Sequence, residues 1–156
     1  RQLMNPFADQ VGGDHYKHFA FDPFKVCGNW PKWAGDVFTY LIRNKGADDY
    51  QKAMHTMAMW MDMDSKPQPQ PLASELTRQW VEMSYDALDP KVTEVIITLG
   101  DYIASPEDKN LQALMESMYE LQESMRTKVP QDQWQRSLDY LDSCLKKLKE
   151  LVRVHD

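Results

Sequence analysis

The sequence predicts an all-α protein: a small N-terminal helical domain joined by a proline-rich linker to a C-terminal helical bundle that contains an antiparallel helix hairpin. Three observations carry this prediction. Apolar residues recur at steps of three and four along most of the 156-residue chain, the spacing that keeps one helix face buried. Helix start and stop signals punctuate those runs. Pro67, Pro69 and Pro71 stand at alternate positions, which a helix or sheet interior does not accept and which reads as an extended, semi-rigid linker.

Taken in order, the stretch to Gly13 has no periodicity and reads as a loop; Arg1, Gln2 and Leu3 precede Met4, the expected natural start. Asp22-Pro23 opens a short helix through Cys27, stopped by Gly28-Asn29, because proline in the first turn loses no useful N–H and glycine suits a helix end. Pro31 opens a second helix over Lys32–Asn44, with Trp33, Val37, Tyr40 and Leu41 at helical spacing and Lys45-Gly46 as its end. A third runs from Asp48 to Met63. Its two first-turn carboxylates favour the helix dipole, and Tyr50, Met54, Met57 and Met61 form a stripe that Met59 and Trp60 widen. The predicted units are 4–64 as the N-terminal domain, 65–72 as the linker and 73–156 as the bundle.

Beyond the linker, one helix spans Ala73–Ala87 and Asp89-Pro90 starts another running to Ala104. Within it, Val92–Leu99 is β-branched enough to be a strand. No partner strand exists in the sequence, and a lone strand leaves its backbone unpaired, so helix is the reading adopted. Ser105-Pro106-Glu107-Asp108 is a start signal with Ser105 as cap. Leu111, Leu114, Met118, Leu121 and Met125 follow as its stripe, and Pro130 opens the last helix. There Trp134, Leu138, Leu141, Leu145, Leu148 and Val152 make a seam with coiled-coil character. The last two helices are expected to form the hairpin across Thr127–Gln131, with Val92, Val95, Ile96 and Leu99 completing a bundle. The seam is longer than one hairpin partner covers, so a homodimer or larger assembly is expected.

A net charge of −6 gives the chain no general attraction to nucleic acid or to anionic membrane. No apolar run approaches the roughly 18 residues of a membrane span, and no signal peptide is expected. The two cysteines, Cys27 and Cys144, match no metal or redox spacing and suit a reducing cytoplasm.

No phosphate-loop, dinucleotide-binding, zinc-protease or nucleophile-elbow motif is present, so phosphate chemistry needs an unconventional site. Gly12-Gly13-Asp14-His15-Tyr16-Lys17 is one candidate. Paired glycines let backbone N–H groups approach an anion, with Lys17 and His15 adding charge and Tyr16 able to stack on a base. An ordered turn capping neighbouring helices accounts for the same residues. On the second helix, Asp36, Thr39 and Arg43 share a face with Tyr40 beside them, and Arg43 can hold phosphate bidentately. A solvated face with basic residues at a helix C-terminus is the alternative. Lys52 and His55 either join this site or point to water.

Gln10 to Lys17, then Pro23, Gly35-x-x-x-x-Tyr40-x-x-Arg43 and Asp49-Tyr50-x-Lys52-Ala53 resemble, in the same order, a small SaV-like domain family of tailed phages. That family includes the C-terminal domain of the T-odd phage nucleotide kinase, which phosphorylates deoxynucleoside monophosphates without a conventional ATP-binding loop. The resemblance covers Gln10 to Asp62. It departs at Asp36 and Thr39, where the family usually has Asn and Lys, and a carboxylate gained for a lysine lost weakens anion binding there.

The resemblance implies a nucleotide-binding phage protein in the cytoplasm of an infected bacterial host, with a nucleoside triphosphate as phosphate donor and an unspecified metal requirement. His15 and Arg43 would be catalytic, and Gly12, Gly13, Tyr16, Lys17, Gly35, Asp36, Tyr40 and Lys52 would bind substrate. The pocket requires the Gly12–Lys17 loop to fold over the Arg43 helix. The other expectation is a non-catalytic phage protein that binds a host or phage protein, or sequesters a nucleotide, through its Met- and Trp-rich faces.

Overall fold

In the computed structural model, the residues described are 23–43, 46–62, 66–83 and 88–136, with 138, 139, 142, 143 and 146. They fold as α1 (Phe24–Cys27), α2 (Lys32–Ile42), α3 (Ala47–Asp62), α4 (Ala73–Met83), α5 (Pro90–Ala104) and α6 (Asp108–Ser124). A further helix, α7, covers 131–136, and the later described positions are helical too. No strand occurs among the described residues, and the protein is all-α. Val92–Leu99 lies wholly within α5, where Val92, Val95, Ile96 and Leu99 are fully buried. Tertiary packing overrides β-propensity there.

Local signals explain most boundaries. Asp89 caps α5, its carboxylate accepting from the Lys91 N–H at 2.7 Å with Pro90 as first residue. Gly46, at φ 113°, turns the chain between α2 and α3 in a conformation that L side chains rarely adopt. The expected start at Ser105 is corrected. Helix α6 begins at Asp108 with Glu107 before it, and Ser105 instead ends α5. The Ser105 carbonyl accepts from the Glu107 N–H at 2.7 Å and from Asn110 Nδ2 at 2.8 Å. Ser105-Pro106 is thus the turn between two antiparallel helices. Met59 is also corrected: it is 52% exposed and does not widen the buried stripe of Tyr50, Met54 and Met57.

One hydrophobic cluster runs through α1–α3 and α4–α6 alike. Its joint is Phe38 of α2, whose ring meets Trp30 at 5.6 Å and Trp80 of α4 at 5.4 Å, both edge-on. Burying a side chain of this size contributes roughly 1.5–3 kcal/mol, so the segments on either side of the prolines hold one another. The proline stretch 66–70 has no helix or strand, as an extended connection should. It is docked, with Pro67 buried and the Gln70 N–H donating to the Ile103 carbonyl at 2.9 Å.

Helix α4 packs on α5, and α5 on α6. At the first crossing Gly100 lies against fully buried Thr77, and Asp101 accepts from Ser74 Oγ at 2.6 Å and from Arg78 Nη2 at 3.0 Å. At the second, the Thr98 and Ser117 hydroxyls bond one another at 2.8 Å inside the core. The chain then turns at 125–130 into α7. Trp134 and Leu138 are buried, and Arg126 stacks over the Trp134 ring at 4.8 Å. The rest of the predicted seam, from Leu141 onward, lies outside the described residues.

Candidate functional site

Helix α3 carries Asp48, Gln51, Lys52 and His55 at successive steps of three, one and three, which places them on one face. The opposite face, with Tyr50, Ala53 and Met57, is buried, and Met54 lies buried at the edge between the two faces. That burial fixes the helix's rotation, so the polar face is presented consistently. The neighbouring Tyr50 is buried, and burial, then the Asp89 and Asp49 carboxylates, push its phenol up, leaving it neutral near pH 7. Asp89 begins α5, so the first turn of α3 lies at the end of the bundle where α5 starts.

At that end a cavity of about 410 Å³ opens between α3 and α7. Asp48, Gln51, Lys52, Met54 and His55 line it from α3, and Gln133 and Arg136 from α7. Trp134 of α7 and Leu138, four residues further along the chain, are the buried anchors that hold this wall. Gln51 Nε2 is a buried donor without a hydrogen-bond partner, although Gln51 lines the cavity. The Asp49 Oδ2 atom, two residues earlier, is likewise buried and unpartnered. An unmet buried donor costs about 1–3 kcal/mol, and a turn of the Gln51 carboxamide toward the cavity would let a ligand acceptor remove that cost. The lining supplies an ammonium, a guanidinium, an imidazole and two carboxamides against one carboxylate, over an apolar Met54 floor. This set can hold a phosphate while leaving Asp48 and the carboxamides to meet hydroxyl and ring polar groups.

The structure brings Lys52 and His55 to this cavity together. Gly12, Gly13, His15, Tyr16 and Lys17 lie outside the described residues. Gly35, Asp36 and Tyr40 are on α2 and Arg43 caps its C-terminus, and none of them lines the cavity. Asp36 pairs with Lys32 at 3.1 Å, and Thr39 Oγ1 donates to the Asp36 carbonyl at 2.9 Å. The exposed Arg43 guanidinium lies over the Tyr40 ring at 5.4 Å. A Cβ at Gly35 would meet Cys27 at 3.9 Å, an ordinary contact, so packing does not demand glycine there.

Sequence reasoning missed Gln51, Gln133 and Arg136, and read Asp48 only as a helix start and Met54 only as core. The steps from Gln51 to His55 and from Gln133 to Arg136 were available as helical spacing, but nothing in the sequence said that α7 crosses α3. Among the described residues no group of three or more His, Cys, Asp and Glu is placed to hold a metal ion, and no helix is long and apolar enough to cross a membrane. No protein-family profile matches the chain, and comparison with curated proteins and with solved structures gives no significant match.

Proposed function

We propose that this protein binds a nucleotide, holding its phosphate against Lys52 and His55 in the cavity on α3, and that it acts as a phage nucleotide-kinase-like protein. The observation that carries the reading is that α3 brings both basic groups to one cavity. About 410 Å³ suffices for a small ligand, since ligand pockets run from roughly 300 to 1,000 Å³. In the catalytic form of this reading, an oxygen of a deoxynucleoside monophosphate bonds to the γ-phosphorus of a nucleoside triphosphate. The bond to the β,γ-bridging oxygen breaks, and two diphosphates leave. Such transfer needs positioning and charge neutralisation more than covalent help from protein side chains.

The test is thermal unfolding of the full chain with each of the four deoxynucleoside monophosphates, followed by assay for diphosphate formation with ATP and magnesium. A ligand at about 100 times its Kd adds about 2.7 kcal/mol, a rise of roughly 5–10 °C for a chain of this size. Lys52→Gln should abolish the rise. Absence of stabilisation by any of them removes the reading; stabilisation without turnover leaves a nucleotide binder.

A second reading, protein binding, draws support from Phe24, Met59, Leu72 and Met83, each more than half exposed. Exposed apolar side chains on helices serve as contact points when they are contiguous. Self-association is the cheapest form of this reading to test: light scattering showing a monomer at high concentration removes the proposed homo-oligomer.

A further inference from the structure

We propose that Arg136 and Gln133 of α7 are ligand-binding residues, so that the phosphate-bearing ligand bridges α3 and α7 and ties the C-terminal helix to the bundle. This rests on the reading of the α3 cavity as a phosphate site and assigns its second wall. That wall comes from residues beyond the Gln10–Asp62 stretch that carries the family resemblance, so the site belongs to both halves of the chain.

The geometry favours this for three reasons. First, the cavity exists only because α7 crosses α3, with Gln133 and Arg136 facing Lys52 and His55 across it. Secondly, Lys52 and Arg136 form no ion pair with a described carboxylate, and Asp48 in the same lining pairs with neither. Among the described residues, unpaired cations occur elsewhere on the surface as well, at Lys66, Lys128 and Lys146, but Lys52 and Arg136 share the lining of one cavity. Two cations and one carboxylate in the lining leave the cavity with net positive charge, which attracts an anion placed between the cations. Thirdly, the backbone of α7 is fixed where it matters. Trp134 and Leu138 are buried on one side, leaving Gln133 and Arg136 directed at the cavity. A guanidinium so placed binds phosphate through two parallel N–H···O bonds, which an ammonium cannot reproduce.

The test uses the full chain with inorganic phosphate and dAMP as probes, read by calorimetry and by amide hydrogen exchange across 131–136. Arg136→Gln should weaken dAMP binding about 10- to 100-fold, the range for loss of a charged hydrogen bond. Arg136→Lys should recover only part of that loss. Gln133→Glu, which sets a carboxylate in the cavity, should weaken binding at least tenfold without touching the guanidinium. The wild-type chain should show slower exchange in 131–136 when dAMP is bound, and Lys52→Gln should lose that protection. Binding that Lys52→Gln abolishes but Arg136→Gln and Gln133→Glu leave unchanged would overturn the role of α7 and spare the α3 site. Failure of the wild-type chain to bind either probe would overturn both.

Discussion

Replacing Gly100 by alanine tests the packing that holds α4 against α5. A Cβ at Gly100 would sit 2.6 Å from Thr77 Cγ2 and 2.8 Å from Thr77 Cβ, and would overlap Oγ1 as well. Thr77 cannot turn away. It is β-branched, fully buried, and its hydroxyl donates to the Ala73 carbonyl at 2.9 Å. Overpacking of this kind costs up to about 3 kcal/mol, and the better helix propensity of alanine returns about 1 kcal/mol. The net expectation for Gly100→Ala is a loss of about 2 kcal/mol, or roughly 4–8 °C in Tm. Thermal and urea unfolding followed by circular dichroism measure it. Thr77→Ala in the same chain should recover part of the loss, because it removes Oγ1 and Cγ2 but keeps the Cβ at 2.8 Å, and a double-mutant cycle isolates the coupling. A Gly100→Ala chain as stable as the wild type, or more stable, would refute the close crossing.

Three further outcomes follow from the same packing. Gln122 is fully buried with both amide atoms unpartnered, so Gln122→Met should raise stability by about 1 kcal/mol in urea unfolding by removing an unmet desolvation cost. Asp89→Ala removes the cap on α5 and should cost about 1 kcal/mol, with Asp89→Ser restoring most of it. Burial raises the Asp101 carboxyl, but hydrogen bonds from Arg78 and Ser74 and the Arg78 charge outweigh it and hold it below the usual carboxylate range. Its contribution is therefore present above the ordinary carboxylate pKa and lost as pH falls through the lowered folded value. Asp101→Asn should flatten that acid limb of a stability-against-pH curve measured by urea unfolding, and an unchanged limb would count against the pairing.

What could be read from the sequence was the local part of the structure. Asp89-Pro90 announced α5, the alternate prolines announced an extended connection, and the spacing of Leu111, Leu114, Met118 and Leu121 gave the buried face of α6. Ser105-Pro106 misled because a serine followed by proline and acids serves equally as a helix cap or as a tight turn, and the Asn110 side chain settled it as the turn. In β-branched Val92–Leu99, propensity alone points to a strand, and only the lack of a partner strand points to the helix observed. The candidate site was half legible. Lys52 and His55 stood out as basic residues on one helix, whereas Arg136 looked like one more surface charge. Periodicity says which face of a helix is polar, but not which distant helix that face meets. The Phe38–Trp80 contact across the prolines was hidden for the same reason.

The central claim is that a phosphate-bearing ligand sits between α3 and α7. The most direct measurement is a titration of the isotopically labelled full chain with dAMP, recording amide chemical shifts. The account predicts saturable shifts concentrated at Asp48–His55 and at Gln133–Arg136, with Gly35–Arg43 and α5 little moved. Shifts centred on Tyr40 and Arg43 of α2, or no saturable change anywhere, would contradict it.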